Sequence, residues 1–106
     1  MPTISPFSTY KVILQSNAHK TLKNIAKQER IKIINKLDLL ISNPETLNIK
    51  KLQGFKDLYR IKSNDYRIIY TPNHDTKTLL VAIIGHRKDV YKIIKNLSIF
   101  SQNIFN

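Results

Sequence analysis

Three cations fall in one twelve-residue stretch, YRIKSNDYRIIY: Arg60, Lys62 and Arg67. Arg87 and Tyr91 follow in GHRKDVY. Fixed cations beside a phenol, with no carboxylate or thiol among them, suit one kind of chemistry above others, the charge stabilisation of a phosphodiester transition state. The same cations lower the pKa of a neighbouring Lys or Tyr and make it a better base. In RNA the attacking group is the substrate's own 2′-hydroxyl, so the protein need supply only a base, an acid and positive charge. Other chemistries find no support in the residue pattern. The seven acidic residues are scattered, with no pair placed for glycoside hydrolysis or two-metal catalysis. His19, His74 and His86 lack metal-ligand spacing. Gly54 and Gly85, the only glycines, make no phosphate loop. No metal and no cofactor is expected.

The cations need strands to line them up. Tyr59, Ile61, Tyr66, Ile68 and Tyr70 put an apolar or aromatic residue at every second position on either side of a Ser-Asn-Asp turn, the pattern of a hairpin. Side chains alternate across a strand, so Tyr59 and Ile61 point one way and Arg60 and Lys62 the other. Helices rest on apolar surface, which places Tyr59, Tyr66 and Tyr70 in the core and leaves Arg60, Lys62 and Arg67 together on an uncovered face. On that layout Arg67 is removable without harm to the fold.

The remaining elements follow from periodicity. Tyr10 to Leu14 reads as a buried strand. Ser16 reads as the N-cap of a helix carrying Ala18, Leu22, Ile25 and Ala26 on one face. A second helix from about Gln28 to Ser42 carries Ile31, Ile34, Leu37, Leu40 and Ile41, and Asn43-Pro44 stops it. Residues 45–56 read as a connection. Strands are expected at about 57–62, 65–71 and 77–84, the last buried on both faces, with a helical stretch after Gly85. The order β-α-α-β-β-β-(α) implies an α+β fold: two helices packed on one face of a mainly antiparallel four-stranded sheet. Residues 1–9 read as a flexible lead-in, 10–96 as a single domain and 97–106 as a C-terminal tail.

At 106 residues the chain is long enough for one core. It has no cysteine, which points to a reducing, cytoplasmic setting. No apolar run reaches the roughly 18 residues of a membrane span. Eighteen Lys and Arg against seven Asp and Glu give a net charge of +11, which favours a polyanionic partner. Lys, Ile and Asn, favoured by A/T-rich codons, fill 41 positions, so cation placement is a better guide than total charge.

With these residues in view, "KKLQGFKDLYRIKSNDYRIIY" followed by "LLVAIIGHRKDVYKII" resembles the RelE/ParE superfamily, the toxins of type II toxin–antitoxin pairs. The resemblance runs from Tyr10 to about Lys95. RelE-like members cleave mRNA in the ribosomal A site; ParE-like members inhibit DNA gyrase and lack the catalytic cations. Residue by residue, the resemblance implies that Lys62 and Arg67 are the basic pair of RelE-like nucleases. Arg87 is the arginine after the last strand and Tyr91 the tyrosine beyond it. Arg60 stands where those proteins often have lysine. The implied function is a ribosome-dependent endoribonuclease (mRNA interferase) leaving a 2′,3′-cyclic phosphate. Its catalytic residues are Lys62, Arg67, Arg87 and Tyr91, with Lys62 or Tyr91 as base and RNA contacts at Arg60, His86 and Lys88. The implied partners are a small acidic antitoxin, the ribosome and mRNA, with no membrane. The alternatives are a ParE-like gyrase inhibitor and a non-catalytic basic RNA- or ribosome-binding module. Each residue also has an ordinary reading: Arg60 and Lys62 as solvated strand positions, Tyr91 as core, His86 as a local hydrogen-bonder.

Overall fold

The structure, a computed structural model, describes residues 4–105 and the side chains of residues 4–96. Strand β1 (Lys11–Leu14) leads into helices α1 (Ser16–Asn24) and α2 (Lys27–Ser42). A 3₁₀ turn at Pro44–Thr46 precedes β2 (Ile49–Lys51), β3 (Tyr59–Ser63), β4 (Tyr66–Asn73), β5 (Thr78–His86) and α3 (Arg87–Phe105). The sheet order is β1-β5-β4-β3-β2. Only the β1–β5 pairing is parallel, as a strand joined through two helices permits; the other pairs are antiparallel.

The α+β class stands, with one strand more than the four expected. Strand β2 lies in the segment read as a connection. Its three residues are too few to show an alternation, and it exists because Ile49, Lys50 and Lys51 pair with Ile61, Arg60 and Tyr59.

Helices α1 and α2 cover one face. Ala18, Leu22, Ile33, Leu37 and Leu40 pack against Ile61, Ile68, Tyr70, Leu79, Val81 and Ile84. The stripe on α2 differs from the expected one. Its inner line is Ile33–Leu37–Leu40, at i, i+4 and i+7, while Ile31 and Ile34 are 47% and 42% exposed beside it. Ser16 is not the cap of α1 but its first residue. Gln15 holds the cap position, and its N–H donates to Val81 O, so strand runs directly into helix.

Tyr59 and Tyr70 are register partners whose rings stack at 5.4 Å on the helix-covered face. Burial of Tyr70, with Tyr59 beside it, pushes its pKa up to about 12. Pro72 lies in β4 beyond Tyr70, where β3 has already ended at Tyr59, so its missing N–H costs no bond on that side. The lead-in carries more structure than its prolines suggest: Ser5 is buried, and Phe7 packs on the core and against the Tyr10 ring. Of the tail, α3 runs on to Phe105, and the side chains from residue 97 lie outside those described.

Candidate active site

The β3–β4 hairpin sets the cations. Its tight turn uses Asn64 at φ 53°, a left-handed conformation that asparagine tolerates well. The register places Lys62 opposite Arg67 and Arg60 opposite Ile69. Arg60, Lys62 and Arg67 therefore share the face away from α1 and α2.

That face is not uncovered throughout. Arg67 pairs with Gly85, and a Cβ at Gly85 would stand 3.1 Å from Val90 Cγ2. The missing side chain lets the first turn of α3 lie directly on β4 and β5. Val90 and Ile69 are fully buried there, and Arg67 is only 4% exposed. Its Nη1 donates to the carbonyls of Asn64 and Tyr66, both at 2.8 Å, and its Nε donates to Tyr91 Oη at 3.1 Å. The guanidinium carbon also lies 5.9 Å from the centre of the Tyr91 ring. The expectation that Arg67 lies on an uncovered face is thus corrected: it is buried and ties the hairpin turn to α3.

Tyr91 is the titratable group on which these contacts act. The Arg67 hydrogen bond lowers its pKa most; the charges of Arg67, Arg60 and Lys62 add to the effect, and partial burial opposes it. A phenol so placed is shifted toward phenolate, the form that takes up a proton. The ring itself is 47% exposed and within reach of a ligand.

Arg60 is held from β2's side, its Nη1 donating to Asn48 Oδ1 at 3.2 Å. Lys50 stands opposite Arg60 in the register. A hollow of about 380 Å³ opens here, lined by Lys50, Lys51, Leu52, Gln53, Arg60 and Tyr91. A larger hollow of about 500 Å³ lies at the other end of the sheet, near Asp57, Thr71, His74 and Asp75. It holds none of the site cations. Among the described residues no three His, Cys, Asp or Glu side chains gather as a metal site would require.

The structure therefore gathers Arg60, Lys62, Arg67 and Tyr91. Arg87 stands at the rim, where its N–H donates to Asp65 O at 2.7 Å and its Nε lies 3.9 Å from Asp65 Oδ1. His86 and Lys88 stand apart from this group. His86 pairs with Tyr66, so it shares the helix-covered side, edge-on to the Tyr66 ring at 6.1 Å. Its Nδ1 accepts a hydrogen bond from the Lys88 N–H at 3.3 Å. Asn48 and Lys50 escaped sequence reasoning. The available signal was the alternation Leu47–Asn48–Ile49–Lys50, whose two apolar residues pack against the core.

A five-stranded sheet bearing cations on one face and two helices on the other matches a known family. Residues 12–91 fit the family described as ParE toxin of type II toxin-antitoxin system, parDE, and the chain belongs to it. Its relatives carry the RelE name. Toxin RelE3 of Methanocaldococcus jannaschii is 34% identical over 88 residues, covering 76% of this chain and 94% of that one. The archaeal RelE–RelB complex from Pyrococcus horikoshii contains a chain of similar structure, with a TM-score of 0.64 and 30% identity over 74% of this chain and 96% of that one. The intact Escherichia coli RelBE toxin–antitoxin complex gives 0.63 at 26% identity, over 73% and 95%. The chain is a type II toxin of the RelE kind. Among the described residues, no helix is long and apolar enough to cross a membrane.

Proposed function

We propose that the chain is an endoribonuclease that cuts mRNA on the ribosome without a metal ion. The observation that carries this reading is the Tyr91 phenol, hydrogen-bonded by a buried arginine and set among Arg60 and Lys62. Tyr91 takes the proton from the 2′-hydroxyl, whose oxygen attacks the adjacent phosphorus. Lys62 and Arg60 neutralise the charge that builds on the phosphoryl oxygens, and Arg67 supports it from beneath while holding Tyr91 toward phenolate. The bond to the 5′-oxygen breaks as the Arg87 guanidinium, at the rim, stabilises the departing oxygen, which takes its proton from water. The products are a 2′,3′-cyclic phosphate and a 5′-hydroxyl. The cytoplasm, where ribosomes and message meet, is the setting this requires.

A small acidic antitoxin is the proposed protein partner. Solved relatives of the same fold are described as RelE–RelB complexes, and a +11 surface suits an acidic chain that folds as it binds.

The test is cleavage of message in a translating extract, with the ends of the fragments analysed. Cuts confined to ribosome-bound message, leaving a 2′,3′-cyclic phosphate and a 5′-hydroxyl, support the reading. Intact message, or equal cutting of free RNA, overturns it. The second reading, gyrase inhibition, is favoured by the ParE description of the matched family. It predicts blocked supercoiling with message left whole.

A further inference from the structure

We infer that β2 adds a second anion subsite to the cleft, in which Lys50 holds the phosphate next to the scissile one of a single-stranded RNA, with Arg60 standing between the two phosphates. The inference rests on the nuclease reading and extends it to a residue with no role in the chemistry.

Two cross-strand pairs on one face carry like charge: Lys62 opposite Arg67, and Lys50 opposite Arg60. Like charges directly opposite one another weaken a sheet. Nothing in the contacts of the described residues relieves them, since the ion pair found there joins Arg87 to Asp65 at the rim. The first pair belongs to the reacting centre. The second stands one strand further out, and its arginine is fixed by the Asn48 carboxamide rather than left to sweep through solvent. The hollow beside it has Lys50 and Arg60 on one side and Tyr91 on another. A strand whose 2′-hydroxyl lies at Tyr91 thus continues past Arg60 to Lys50, and its next phosphate neutralises a pair that the free protein keeps at a cost in stability. The electrostatics call for a phosphate, and a hollow lined from Tyr91 through Arg60 to Lys50 suits a single strand.

The probe is an all-deoxy oligonucleotide, which lacks the attacking hydroxyl and stays intact. Its affinity is measured against salt for the wild type, Lys50→Gln and Lys50→Arg, with thermal melting of each free protein. Lys50→Gln is expected to bind several-fold more weakly and to lower the slope of log affinity on log salt by about 0.7, one single-strand phosphate contact. Lys50→Arg is expected to restore the slope. The free Lys50→Gln protein is expected to melt no lower than wild type, because a like-charge pair has gone. An unchanged slope overturns the subsite, as does a lower melting temperature, which would make Lys50 structural. Weaker binding to an acidic antitoxin peptide alone, with the oligonucleotide slope intact, assigns Lys50 to the protein partner and also overturns it. Ribosomal cleavage by the wild type, measured in parallel, separates the two readings. Message cut with an unchanged slope rejects the subsite alone, and message left whole rejects the nuclease.

Discussion

Arg67 Nε donates a hydrogen bond of 3.1 Å to the Tyr91 hydroxyl, joining the middle of the sheet to the first turns of α3. Because the same guanidinium also holds two carbonyls of the β3–β4 hairpin, one side chain serves both the fold and the candidate chemistry.

Replacing it should expose both roles. Arg67→Ala is expected to lower cleavage by about 10²-fold or more, the usual loss on removing a preorganised charge-stabilising group. It should also cost roughly 2 to 3 kcal/mol of stability, since two hairpin carbonyls and the Tyr91 hydroxyl lose a charged donor. Arg67→Lys should recover part of each, as an ammonium cannot reproduce the planar fork. Denaturant melts beside cleavage assays decide. A fully stable, fully active Arg67→Ala protein would remove Arg67 from both roles.

The pH profile separates the two candidate bases. Tyr91's pKa lies below the ordinary 10.0, and its active form is the deprotonated one, so the cleavage rate should rise with pH toward that pKa and then level. Tyr91→Phe should lose that rise and about 10² to 10⁴ in rate. A Phe variant that keeps the same alkaline rise would transfer the base role to Lys62.

Much of this arrangement was legible in the sequence, and the failures have physical causes. The alternation in YRIKS and the single cation in YRIIY placed Arg60, Lys62 and Arg67 on one face, because strand period is set by the backbone. The burial of Arg67 was not legible, since it depends on Gly85 admitting Val90, a contact between elements. His86 looked like a neighbour of Arg87, yet it ends β5 on the Tyr66 side while Arg87 opens α3 and turns to Asp65. On α2, with six Ile and Leu from Ile31 to Leu40, the pattern could not choose its inner line; the sheet did.

Arg87 should behave differently from Arg67. It and Asp65 are 52% and 68% exposed at 3.9 Å, a geometry that contributes at most about 1 kcal/mol. Arg87→Ala is expected to lower cleavage while the melting temperature barely moves, and Asp65→Asn to change neither greatly. A large stability loss in either variant would mean the rim contact has structural weight.

Alkaline stability should report on Tyr70. Its folded pKa of about 12 exceeds the unfolded 10.0, so the neutral phenol is favoured in the fold. That stabilisation is complete below pH 10 and is lost as pH rises toward 12, amounting to about 3 kcal/mol at most. Urea melts across this window should show Tyr70→Phe losing less stability than wild type. Parallel decline in the two proteins would refute the assignment.

The parallel pairing of β1 with β5 also governs the order in which the toxin can come into being. Lys11 meets Thr78, and β5 lies between β1 and β4, so the sheet cannot close until β5 has left the ribosome. Tyr91 emerges later still, and with it the contact that Arg67 requires. A half-made chain therefore carries the cationic hairpin without its phenol. On the nuclease reading proposed above, synthesis runs far ahead of the moment at which the proton acceptor is in place, and an antitoxin already present would have that interval in which to bind.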